Sequence, residues 1–152
     1  MAAKKRPDSA PVETERLTAK IISSSRSYYI SQSDGSVGDE GLLQISGEIF
    51  SASEKHRNHI GCPIAITLAG ARSFGEQEEG QGRPFKVMMN LRKNQRSLMA
   101  YLPADAFWAL PQLIADEPDP VVDVTFQRLT RGSWALLSVF VGSAEDATAL
   151  PY

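Results

Sequence analysis

From Leu17 onward, apolar and polar positions alternate mainly with period two, which puts successive side chains on opposite faces of a strand. Leu17, Ala19 and Ile21 alternate first, and a polar bend at Ser23-Ser24-Ser25 leads into Tyr28-Tyr29-Ile30. Residues 33–41 read as a loop by composition. Leu43, Ile45, Gly47 and Ile49 then share one face, with Gln44, Ser46 and Glu48 on the other, the pattern of a half-buried strand. Gly47 inside that strand predicts a bulge or bend of the kind that curls a sheet. Residues 51–61 form a polar loop, and Ile64, Ile66 and Leu68 mark the next strand. Residues 70–82 contain Gly70, Gly75, Gly80 and Gly82 and form a surface excursion.

Two hairpins follow, and their own pairing checks them. With a turn centred on Lys93-Asn94, Phe85 faces Leu102, Val87 faces Ala100 and Met89 faces Leu98 on one apolar side. Lys86 then pairs with Tyr101, and Met88 with Met99, on the other. A slip of one residue would invert both faces. With a turn at Arg131-Gly132, Val122 faces Val141, Val124 faces Val139 and Phe126 faces Leu137. Gly132 supplies the positive φ of a tight hairpin turn. The outer side of this second hairpin carries Leu129 opposite Trp134, and Phe140 opposite Asp123, with Leu136 between. A strand apolar on both sides needs a cover, either the helix bearing Phe107 and Trp108 or a second chain.

Between the hairpins, Phe107, Leu110 and Ile114 recur at helical spacing after Pro103. Pro111 lacks the amide donor of a helix interior, so the spacing predicts a short helix ending near Ala109 and a new turn at Pro111. The result is a mostly-β chain with one short helix, a small curled β-barrel or β-sandwich built largely of antiparallel hairpins. After residue 40 the order is strand, strand, hairpin, helix, hairpin. That outline is similar to an oligonucleotide-binding barrel, with Gly47 where a long strand would bend, and with an extra N-terminal strand and an extra hairpin strand as departures. The resemblance implies a fold whose sheet face and loops bind single-stranded nucleic acid.

Length and composition narrow the picture further. With 152 residues, 42% hydrophobic and 22% charged, the chain has the makeup of one globular domain. Residues 1–13 are read as a flexible tail and 14–152 as a single β-rich domain. The tail has no apolar run of the kind a secretory signal needs, and no stretch approaches the length of a membrane span. Cys62 is the only cysteine, so no internal disulfide forms. Both features lead to an expectation of a cytoplasmic location without membrane contact. A net charge of −2 excludes a bulk polyanion binder but leaves room for a local basic patch.

Three groups of residues could carry function. Arg83, Lys86, Arg92, Lys93 and Arg96 are five basic residues in fourteen with no acid among them, and Tyr101 lies beside Lys86. Such a hairpin holds phosphates while a base stacks on the ring. Leu129, Trp134, Leu136 and Phe140 form the apolar face that would pair with a protein partner or a second copy. His56, His59 and Cys62 place three potential zinc ligands within seven residues, one short of a tetrahedral set. Phosphate-binding, dinucleotide-binding and nucleophile-elbow motifs are absent. The expectation is therefore a non-enzymatic binding module without cofactor or resident metal. Protein interaction or self-assembly through the apolar β-face leads, single-stranded nucleic-acid binding by the basic hairpin is the alternative, and a metal-dependent enzyme at the histidine loop is the third.

Overall fold

The computed structural model describes residues 13–33, 35–70, 86–128 and 134–149. Seven strands make one sheet: β1 Thr14–Ser33, β2 Ser36–Ala52, β3 Pro63–Gly70, β4 Lys86–Arg92, β5 Gln95–Leu102, β6 Pro120–Arg128 and β7 Trp134–Ser143. The sheet closes into a ring in the order β1-β2-β3-β5-β4-β7-β6. Every pairing is antiparallel except β3 with β5. A helix α1 spans Ala104–Asp116, a shorter α2 spans Ala144–Thr148, and a 3₁₀ turn covers Glu54–His59. The mostly-β, hairpin-rich architecture expected from the alternation is the one observed.

The period-two strands bury the residues the pattern selects. Leu43, Ile45 and Ile49 of β2 join Ile64, Ile66 and Leu68 of β3 and Val87, Leu98 and Ala100 of the first hairpin in one core. Across that hairpin, Val87 faces Ala100, Met88 faces Met99 and Met89 faces Leu98, as the matching of apolar faces requires. The pairing of Phe85 with Leu102 lies outside the described residues, as does the excursion after Gly70. Gly47 sits where the sheet bends: β1 and β2 slip register on either side of it, between Thr18 and Ala19 and between Ile21 and Ser23. A Cβ there would stand 2.7 Å from the carbonyl oxygen of Lys20, so only glycine allows this approach.

Three local expectations are corrected. Residues 36–41, expected as loop, belong to β2, and β1 runs unbroken through Ser23-Ser24-Ser25. The two strands form a long arm, from Tyr28 opposite Gly41 to Ser33 opposite Ser36, closed at Gly35 with φ 80. Asp34-Gly35 is itself a two-residue hairpin signal. In the second hairpin, a bulge between Thr125 and Phe126 puts Phe126 opposite Leu136, not Leu137, and Trp134 opposite Arg128, not Leu129. Leu136 is thereby buried in the core while Leu137 is exposed. Helix α1 passes through Pro111 without ending. Proline removes one backbone bond there, and the buried contacts of Phe107 and Leu110 with Ile114 behind them hold the next turn in place.

Helix α1 stoppers one end of the ring. Phe107 is 2% exposed. Its ring lies on Gly41 and Gly70, which are cross-strand partners. A Cβ on Gly41 would come within 2.5 Å of that ring, and one on Gly70 within 2.6 Å. The last hairpin, whose second side is expected to be covered by α1 or by a second chain, has α2 packed on β6 and β7 and α1 in contact with β7. Arg16 reaches across, donating from Nε to Asp123 Oδ2 at 2.5 Å and from its terminal nitrogen to the Ala147 carbonyl. Thr18 Oγ1 donates to the same Asp123 oxygen at 2.5 Å. These bonds let the carboxylate of Asp123 sit 1% exposed on an outward position.

The glycine notch yields a stability test. Gly70→Ala forces Phe107 from its seat and costs about 1–3 kcal/mol in urea unfolding, the usual range for overpacking. Phe107→Leu in the same chain removes the clash, so the double variant loses less than the sum of the two single losses. Strict additivity would show that the ring does not rest on the glycines.

Candidate functional site

The outer face of β1-β2-β3-β5-β4 is built from the residues that alternate with the core. Three cross-strand rows follow from the register. Ser27, Leu42, Ala69 and Tyr101 form the first. Ser25, Gln44, Thr67, Met99 and Met88 form the second, and Ser23, Ser46, Ala65, Ser97 and Asn90 the third. None of these residues is charged. Small side chains at the middle of the rows leave a shallow depression floored by Ser46, Ala65 and Thr67 and edged by Ser23, Ser25 and Gln44. Tyr29 stands beyond the first row, half exposed, and donates its hydroxyl proton to the carboxylate of Glu40, its cross-strand partner. That bond, with the negative charge of Glu40 and a smaller contribution from Tyr101, holds the Tyr29 phenol above its ordinary pKa.

Cations stand at the rims of this neutral field. Arg92 and Lys93 are exposed at the β4–β5 turn, and Arg26 is exposed on the arm. Among the described residues none of the three has an ion-pair partner. The other expected members of the basic patch divide. Lys86 opens β4 and pairs with Ala135. Arg83 lies outside the described residues. Arg96 turns inward: its Nε donates to His59 Nδ1 at 2.9 Å. The pattern of basic residues alone did not separate Arg96 from Arg92, although the alternation with Leu98 places it on the core side. The charge pattern also missed Arg26 and Tyr29, because residues 33–41 read as loop and hid the arm.

The histidine loop forms a separate buried cluster at the opposite end of the ring. Glu15 is buried, with Oε2 3.4 Å from His56 Nε2 and Oε1 3.5 Å from Lys55 Nζ. The His56 ring packs on Phe126 at 6.0 Å and lies 6.3 Å from His59. Cys62 sits apart at the start of β3, where its carbonyl accepts from Ile49 N. Among the described residues no three His, Cys, Asp or Glu side chains are gathered to hold a metal ion. The expected apolar face is dispersed as well. Trp134 packs edge-on against Phe126 at 5.3 Å with Arg128 over its ring, Leu136 is in the core, and Phe140 folds back over Gly142. Leu129 lies outside the described residues.

His59 gives this end of the ring a pH dependence. Burial lowers its pKa below 6.5, and the neighbouring Arg96 and His56 lower it further. The neutral ring is the form that accepts from Arg96. The unfolded chain therefore takes up the proton first as pH falls through 6.5, and that contribution to stability, complete at higher pH, is lost on acidification. Urea midpoints between pH 8 and pH 5 should fall in the wild type and fall less in His59→Asn, which keeps an acceptor without a titrating ring. Parallel curves would exclude His59 as the source.

Compared with known proteins, the chain matches no family model, no curated protein and no solved structure.

Proposed function

We propose that this protein is a non-catalytic binding module for single-stranded nucleic acid, taken up on the outer face of β1-β2-β3-β5-β4. The observation that carries the reading is the pairing of an uncharged, small-residue field with two tyrosines at its edge and cations at its rims that have no ion-pair partner among the described residues. Bases stack on aromatic rings whatever their identity, and phosphates seek cations that no carboxylate has already neutralised. Serine, threonine, glutamine and asparagine in the rows offer both donors and acceptors to base edges.

The path of the strands supports the same reading. Strands β2 and β3 lie centrally in this face, and the β1–β2 and β4–β5 hairpins project at its borders. Oligonucleotide-binding barrels use that strand pair and those two connections to hold their ligands. The likeness is one of arrangement. Here the helix follows β5, and the β6–β7 hairpin is inserted to complete the ring.

The protein-interaction reading rests on Leu129, Trp134, Leu136 and Phe140, of which Leu136 joins the core, Trp134 packs on Phe126 and Phe140 lies over Gly142. Binding through the first face makes a sharper expectation. Fluorescence anisotropy with labelled oligothymidylate should show affinity that falls with salt at a slope of about −2 to −3 on log–log axes, as three or four phosphate contacts give. Tyr29→Ala and Tyr101→Ala should each weaken binding roughly tenfold. Arg92→Ala together with Lys93→Ala should flatten the salt slope by about one unit or more. Absence of binding at low salt would end the proposal.

A further inference from the structure

We infer that the cleft between the arm and α1 is a second seat on the same path, holding one nucleotide with its base against Tyr28 and Trp108 and its phosphate on Arg26. This rests on the nucleic-acid reading above and extends it around the edge of the arm.

The seat follows from strand parity. Tyr28 and Tyr29 are consecutive, so their rings leave β1 on opposite sides. Tyr29 belongs to the outer field. Tyr28 belongs to the side that faces α1, where its ring lies 5.6 Å from Trp108 at an interplanar angle of 57°. The two rings meet in tilted contact as a closed V, with Tyr28 48% and Trp108 54% exposed. A planar base laid across the exposed rim of the V gains contact with two aromatic surfaces without parting them. The strand that stacks on Tyr29 reaches this seat by crossing one edge of a two-stranded ribbon.

The indole is fixed before any ligand arrives. Phe107 meets Trp108 edge-on, with centroids 5.2 Å apart and planes at 80°. Phe107 is itself held in the notch of Gly41 and Gly70, and Gly41 is the cross-strand partner of Tyr28. One contact chain therefore sets both walls of the V. Preorganised aromatics lose little freedom on binding.

A hollow one turn further along the arm and the helix supplies the polar half of a nucleotide site. Ser24, Ser25 and Arg26 line one side, and Pro111, Gln112 and Ala115 the other. Arg26 lies two residues before Tyr28 on the same side of the strand and has no ion-pair partner among the described residues. Gln112 donates from Nε2 to Asp116 Oδ1 at 2.7 Å, which orients its amide beside the cleft. An exposed guanidinium beside an aromatic pair suits a phosphate with its base. A second copy of this chain would instead use the apolar surface and ignore Arg26.

The test uses Trp108 as its own reporter. The chain has two tryptophans. In Trp134→Phe, emission comes from Trp108 alone and should be quenched in step with anisotropy as oligothymidylate is added. If that variant does not fold, protection of the wild-type indoles from acrylamide by the same oligonucleotide serves instead, since Trp108 is the more exposed. Trp108→Ala should weaken a long oligonucleotide roughly tenfold, and Arg26→Ala should add to the loss in proportion to one phosphate. Very short oligonucleotides, which occupy only the outer face, should bind both variants as they bind the wild type. Binding without quenching, or a full-strength Trp108→Ala, overturns the seat and leaves the outer face standing. Concentration-dependent quenching without oligonucleotide would assign the V to a second copy and overturn it. No binding of any oligonucleotide removes the proposed function together with the seat.

Discussion

Phe107 has to lie on two facing glycines, and much of the molecule depends on that contact. The ring approaches the backbone of β2 and β3 more closely than any Cβ would permit, so α1 sits directly on the end of the ring. Close seating buries the phenyl ring and brings Leu110 and Ile114 onto the same core. It also fixes the register of the helix against the arm, because Gly41 lies opposite Tyr28. Trp108, the next residue, is thereby aimed at the arm and not at solvent alone. Packing of one ring thus places an aromatic pair more than it stabilises a core.

The opposite end is closed by charge and not by volume. Glu15, His56, His59 and Arg96 fill the space that Phe107 fills at the first end, with Phe126 and Trp134 beneath them. The His59 imidazole accepts from the Arg96 guanidinium, whereas Glu15 Oε2 and His56 Nε2 are buried 3.4 Å apart without a hydrogen-bond partner. Arg16 and Asp123 do similar work on the outside of β6, tying the C-terminal turn to the sheet. Several of the chain's charges are therefore internal connectors. Among the described residues, Arg26, Arg92 and Lys93 are exposed without an ion-pair partner, and their position beside the outer face is what makes them informative.

How much of this was legible in the residues depends on which force sets each element. The β2 strand, the first hairpin register and the bend at Gly47 were legible because burial of one face allows only one parity. The arm was not, since Tyr28 to Gln32 of its first strand are all exposed and impose no alternation, and Gly35, Gly38 and Gly41 imitate a loop. The second hairpin was read correctly up to Thr125. Past it a bulge reversed the parity, because Phe126 and Leu136 fit the core together while Leu137 does not. Pro111 misled for a related reason: the local cost of proline is real, but tertiary packing of the flanking turns outweighs it. The basic residues of the candidate site were visible as a cluster, yet only alternation with Leu98 distinguishes an inward Arg96 from an outward Arg92. Tyr29 and Arg26 became candidates only when the arm existed.

A net-acidic chain can still select a polyanion if its field is organised locally. The Debye length at physiological salt is about 8 Å, so charges beyond that distance contribute little to a bound phosphate. The acidic residues Asp123 and Glu15 are buried against cations, and Glu40 is engaged by the Tyr29 hydroxyl. At the middle rows of the outer face a strand would therefore meet uncharged side chains, with Glu40 and Glu48 at the ends of the field and cations at its rims. Weak long-range attraction with local complementarity favours ligands that present bases, because stacking must supply what bulk charge does not. A duplex hides its bases and presents phosphates alone, so under the proposed function the same surface would discriminate against it without any element built to exclude it.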